Sequence, residues 1–169
     1  MLRTTLAKAY IKRTIRPLYG WTQATPKSCY LDPAWDRSVP IFPGMAMMRT
    51  TGENYTLINA TGTPSGLAGL YVGGDGIDEV LEQGVNAFAV WVLGDDAEFE
   101  ILAPAFDTAL AWTDPGNGTA LLIHAQTAGT TRGKLVPAGT AGASVNPVAR
   151  LVKVNSATKI TIGGLQGTK

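Results

Sequence analysis

The run Met45-Ala46-Met47-Met48-Arg49-Thr50-Thr51-Gly52-Glu53-Asn54-Tyr55-Thr56-Leu57-Ile58-Asn59-Ala60 sets two short apolar segments on either side of a polar break, Gly52-Glu53-Asn54. Glycine and asparagine tolerate the left-handed backbone of tight turns, while Met, Tyr, Thr, Leu and Ile suit a pleated, half-buried ribbon. The run therefore predicts strands over residues 45–50 and 55–60. Outward from it the same pattern repeats. Thr63-Pro64-Ser65-Gly66 leads into a third strand at 67–72, which ends in the turn Gly73-Gly74-Asp75-Gly76. Residues 77–83 are the one helix candidate, with acids in the first turn and Gly84 as a stop. Residues 86–93, including Trp91, read as a strand buried on both faces, and Glu98-Phe99-Glu100-Ile101 alternates as a half-buried strand does. The turn Asp114-Pro115-Gly116-Asn117-Gly118 precedes an apolar strand at 119–126, residues 137–147 read as a Gly/Ala-rich loop, and 148–154 with 159–162 as a basic terminal hairpin. Short strands divided by turn signals predict an all-β (mainly β) compact barrel or sandwich with one short helix, plus an extended N-terminal arm.

Composition agrees. The 169 residues suffice for one domain and an appendage. Charged residues are 16%, against about 25% in an ordinary soluble domain, and 20 glycines favour strands and turns over a helical bundle. A single cysteine, Cys29, excludes an internal disulfide framework. With one histidine, His124, it cannot build a structural zinc site without carboxylates or a second chain. Apolar runs reach only about eight residues, too short for a membrane-crossing helix.

The net charge of +1 hides a three-block layout. Residues 1–49 carry eight Lys/Arg against two acids, residues 50–131 carry eleven acids and no Lys or Arg, and residues 132–169 carry six bases and no acid. Each block repels itself, so near-neutrality implies attraction between blocks. Two arrangements satisfy it: basic tails folded onto their own acidic body, or arms laid over adjacent subunits.

The chain divides into residues 1–42, an extended basic, aromatic- and Pro-rich arm; 43–136, an acidic β-domain; and 137–169, a Gly/Ala-rich loop and basic C-terminal hairpin completing or extending that domain. Residues 17–43 hold five prolines, which argue against a helix or a central strand. They also hold Tyr19, Trp21, Tyr30, Trp35 and Phe42, more aromatic surface than a solvated linker carries. The candidate contacts to a neighbouring subunit or other partner surface are Arg3, Lys8, Lys12, Arg13, Arg16, Tyr19, Trp21, Tyr30, Trp35 and Phe42, the bases steering and the aromatics anchoring.

Few patterns point to chemistry. Gly129-Thr130-Thr131-Arg132-Gly133-Lys134 is one residue short of a phosphate loop, with Leu135 where a Ser or Thr would bind magnesium. His124 sits in an apolar strand with no nucleophile pattern near it, and Cys29 reads as a small buried hydrophobe or a thiol. Asp95, Asp96, Glu98 and Glu100 could pair for glycoside hydrolysis or bind calcium, yet Glu98 and Glu100 fall on one strand face, where a solvated edge or a dock for bases is the simpler reading. Nucleic acid is disfavoured by the −11 middle block. No enzymatic activity, cofactor, metal or membrane partner is expected. The alternative binding role is a carbohydrate- or ligand-binding β-sandwich that stacks sugars on Trp91 or Trp112.

The order Pro43-Gly44-Met45-Ala46-Met47-Met48-Arg49, Gly52-Glu53-Asn54-Tyr55, then Pro64-Ser65-Gly66-Leu67-Ala68-Gly69-Leu70 resembles the opening of tailed-phage head decoration (cement) proteins. Residues 86–107, with Val90-Trp91-Val92 and Ala103-Pro104-Ala105-Phe106-Asp107, are similar to capsid-associated proteins of actinobacterial phages. The resemblance spans residues 43–107. It implies a β-rich structural virion protein, made in the host cytoplasm, that binds the outside of the capsid and stabilises it by bridging subunits. Its implied partners are the major capsid protein and its own copies in a homotrimer.

Overall fold

The structure is a computed structural model that describes residues 14–19, 25–35, 41–69, 87–94, 97–116 and 121–165. Its strands, in chain order, are β1 (Ile15–Tyr19), β2 (Thr25–Leu31), β3 (Ala46–Arg49), β4 (Asn54–Leu57), β5 (Gly66–Ala68), β6 (Ala87–Val92), β7 (Glu98–Leu102), β8 (Leu121–Ala125), β9 (Leu135–Pro137), β10 (Ala149–Ser156) and β11 (Lys159–Gly163). Among the described residues the helical content is one 3-10 turn, Gly129–Thr131. The all-β expectation holds. The helix expected at 77–83 lies outside the described residues.

The hairpin read from residues 45–60 forms as β3 and β4, with Met47 opposite Leu57 and Arg49 opposite Tyr55. It becomes part of a closed five-stranded barrel in the order β2-β4-β3-β5-β6. A six-stranded antiparallel sheet, β1-β7-β11-β10-β8-β9, packs beside it. The two share one core. Trp91 of β6 lies 5.4 Å from Phe99 of β7, ring centre to ring centre. The Ala46 amide donates to the Gly133 carbonyl at 2.8 Å. Gly44 has φ +97°, and a Cβ there would stand 3.2 Å from both Ala105 Cβ and Ile101 Cδ1, so only glycine lets the barrel entrance close onto the sheet.

One expectation fails. The proline-rich stretch is extended, but it is not kept out of central strand positions. β2 is a barrel strand with neighbours on both sides, antiparallel to β6 and parallel to β4. The prolines are tolerated because of where they fall. Pro26 pairs with Trp91 of β6, whereas pairing with β4 begins only at Tyr30, so no second ladder needs a donor from Pro26. Pro17 sits in β1, whose one described partner is β7, at the rim of the sheet. Within β2 the side chains alternate: Cys29 and Leu31 are buried, Ser28 and Tyr30 exposed. Ile15 of β1 is likewise buried in the core. Ile15, Cys29, Leu31 and Trp35 of these two segments are thus buried in the body of their own chain, while Leu18 and Tyr30 stay exposed.

The basic hairpin forms as expected, with β10 and β11 antiparallel. β9 lies in a segment for which no strand is expected. It completes the sheet edge by pairing with β8, and Leu135 is bridged to Phe106 on the other side.

Candidate interaction surface

The charge blocks meet across β7. Glu100 lies opposite Arg16 on one side and Thr161 on the other. Its carboxylate stands 3.6 Å from Arg16 Nε and 3.3 Å from Lys159 Nζ. One row along, Glu98 is opposite Gly163, which is opposite Arg150. A Cβ on Gly163 would come within 2.9 Å of the Arg150 guanidinium. The missing side chain lets Arg150 lie across β11, approach Glu98 at 3.9 Å and donate Nε–H to the Gly164 carbonyl at 3.1 Å. Arg16 of the first basic block and Arg150 and Lys159 of the last therefore all close on acids of the middle block within one molecule. Glu100 is only 8% exposed and covered by its cationic neighbours, so of the two readings of this face the dock for bases is the one that forms. Asp95 and Asp96 lie outside the described residues.

Of the ten expected contact residues, Arg3, Lys8, Lys12, Arg13 and Trp21 lie outside the described residues, and Tyr19 is described only as the last residue of β1. Arg16 projects outward with 63% of its side chain exposed, and Tyr30 is 52% exposed on the outer side of the barrel. Phe42 is half-buried against the core. Trp35 is buried and faces its own chain: the Arg132 guanidinium lies over its ring, 4.9 Å from the centre. Exposed apolar side chains also include Leu18, Leu121, Leu122, Val145 and Leu165.

Arg132 joins barrel to sheet. Its Nε donates to the Ile58 carbonyl at 2.8 Å and its Nη2 to the Leu57 carbonyl at 2.7 Å. Leu57 is the last residue of β4 and Ile58 the first beyond it. The sequence reading treats Arg132 only as part of a near-phosphate loop. That loop instead forms the 3-10 turn and then β9. Gly133, at φ +83°, passes so close to Leu57 that a Cβ would stand 2.6 Å from Leu57 Cδ2. One signal could have singled Arg132 out: it is the first base after eighty-two residues without Lys or Arg.

Beside Trp35 and Arg132 opens a cleft of about 630 Å³, also lined by Asp32, Ala34, Thr56, Thr127, Ala128 and Gly129. The Asp32 carboxyl is held below the usual carboxylate range by the Thr50 hydroxyl and then by the Ala34 amide. Burial draws the Arg132 pKa down.

The tryptophans of the carbohydrate reading are not exposed platforms. Trp91 is half-buried against Phe99, and Trp112 stands edge-on to Phe106 with its Nε1–H donated to the Asp107 carbonyl at 2.7 Å. His124 Nδ1 is bound to the Ser144 carbonyl at 2.6 Å, a packing role. Among the described residues no three His, Cys, Asp or Glu converge as metal ligands, and no helix is long and apolar enough to cross a membrane.

No curated protein and no solved structure matches the chain. A family model described as Phage cement protein matches residues 1–167.

Proposed function

The chain belongs to the phage cement protein family, and from that premise we propose that it binds the outer surface of a phage capsid and bridges neighbouring capsid subunits. A structural, capsid-associated role in the virion, with the capsid protein as partner, comes with the family. The outer face, the bridging and a homotrimeric state are this proposal's own. The assignment to phages of actinobacteria rests on the resemblance of residues 86–107 alone.

The single observation that carries the reading is a family match running over nearly the whole chain. The physical features support it. A protein that holds a shell together against internal pressure needs a stiff body and contact area more than a pocket for chemistry. Here a closed barrel and a six-stranded sheet share one core, and three ion pairs cross the sheet's outer face. Exposed ion pairs contribute about 0–1 kcal/mol each, so charge alone does not hold such a protein on a shell. Buried aromatic contacts do, and bases speed encounter. Tyr30 and Arg16 take those parts among the described residues. In this reading Trp21, Tyr19 and Phe42 have the same part as anchors, and Arg3, Lys8, Lys12 and Arg13 as steering bases. Trp35 is enclosed by its own chain and packs against Arg132.

The test uses heads assembled without this protein. Purified full-length chain is added and the heads are sedimented and then heated. Saturable co-sedimentation with a higher disruption temperature is expected. Heads that bind none of it, or bind it and break at an unchanged temperature, refute the reading.

A further inference from the structure

Arg16, Arg150 and Lys159 each face a carboxylate within 4.0 Å. Arg132 has no such partner among the described residues. A guanidinium carries five N–H donors. Arg132 engages Nε and Nη2 with the Ile58 and Leu57 carbonyls, and its remaining donors have no acceptor among the described residues. The indole Nε1–H of its neighbour Trp35 is buried away from solvent, with no acceptor among the described residues. Both line the same open cleft. Asp32 also lines it but is engaged elsewhere: Oδ2 accepts from Thr50 Oγ1 at 2.6 Å and Oδ1 from the Ala34 amide at 2.8 Å. Asp32 keeps its charge but forms no ion pair with Arg132, so a half-buried guanidinium with no carboxylate within 4.0 Å among the described residues has part of its desolvation uncompensated, and a carboxylate supplied from outside at closer range reduces that cost. The planar fork of guanidinium matches the two oxygens of a carboxylate. The cleft is far larger than one carboxylate, so the acid arrives on a loop whose flanking residues fill the rest.

We propose that the cleft between Trp35 and Arg132 is a socket for an acidic side chain presented on a loop of the capsid protein. The inference rests on the capsid-binding reading above and names the chemistry of the partner at this site. Arg132 supplies the charge and Trp35 the wall against which the loop packs, while Thr56 and Thr127 line the remainder.

The experiment titrates heads lacking this protein with four full-length chains: wild type, Arg132→Gln, Arg132→Lys and Ala128→Trp. The last fills the cleft from an exposed position and leaves the internal bonds of Arg132 alone. Thermal melts and solution masses accompany each. Wild type is expected to bind; Arg132→Gln and Ala128→Trp are expected to bind roughly 30-fold more weakly or worse, and Arg132→Lys in between. The proposal is overturned if Ala128→Trp melts and binds as wild type does, even where Arg132→Gln loses both folding and binding. It is also overturned if the variants change the oligomer mass and leave head affinity unchanged, for then a second copy fills the socket. Wild type failing to bind any head refutes the capsid-binding reading itself, a separate outcome.

Discussion

The guanidinium of Arg132 lies 4.9 Å from the centre of the Trp35 ring while its N–H groups hold the carbonyls of Leu57 and Ile58. Two residues 97 positions apart in sequence, one from the proline-rich beginning and one from the loop before β9, thus meet at the end of a barrel strand. Trp35→Ala removes a large buried ring and the surface on which the guanidinium rests. A loss of about 3–5 kcal/mol is expected in urea unfolding. Arg132→Ala leaves two backbone carbonyls short of a donor and should destabilise by about 1–3 kcal/mol. The double variant should lose less than the sum, because both changes dismantle one contact.

Tyr30 offers the opposite case. Its ring is 52% exposed, so Tyr30→Ala should change folding stability by less than about 0.5 kcal/mol. Head binding should nevertheless weaken by about tenfold or more, as for an aromatic anchor at an interface. An affinity measurement beside a melting curve separates the two effects. Equal affinity for wild type and variant removes Tyr30 from the contact surface.

Glu100 draws cations from both ends of the chain. The partners are solvent-exposed on their outer sides, so Glu100→Gln should destabilise by only about 1 kcal/mol. The more telling quantity is salt dependence. Raising sodium chloride from low to molar concentration should reduce the stability of wild type more than that of Glu100→Gln, because screening acts on charges the variant lacks. Parallel unfolding curves at several salt concentrations measure it.

Cys29 is 2% exposed, and burial, with a smaller contribution from Glu53, pushes its thiol up to about 12 from an ordinary 9.0. The folded protein should therefore resist a thiol reagent at pH 8 and react on unfolding. Linkage fixes the sign of the alkaline effect. Below pH 9 both states hold the proton and the full stability is present. Between pH 9 and about 12 the unfolded state releases it first, so stability falls as pH rises. Cys29→Ala should flatten that limb, which unfolding curves from pH 8 to 11 will show.

The strands flanked by strong turn chemistry were legible from the chain alone. Gly52-Glu53-Asn54 fixes the β3–β4 hairpin locally, and the alternation of Glu98-Phe99-Glu100-Ile101 puts Phe99 and Ile101 in the core as read. The stretch around Pro17 and Pro26 was harder, because proline argues against a strand only where both edges must pair. Whether they must is a property of the neighbours: Pro26 faces β6 alone, and Pro17 stands at the rim of the sheet. Trp35 and Arg132 each carried a signal of its own, an aromatic in a proline-rich stretch and the first base after a long acidic block. Nothing local paired them, since their meeting depends on how the loop before β9 folds back over β4.

The sequence by itself determined where the chain extends, where it turns and which side chains face inward, because these follow from backbone preferences and a two-residue period acting over a few neighbours. Only the tertiary structure decided who lies beside whom. A ladder of N–H and C=O groups is the same on every strand, so nothing local says that β2 runs parallel to β4 or that Glu100 sits between Arg16 and Lys159. Those choices are made when apolar faces close into one core and opposite charges, distant along the chain, are brought within reach.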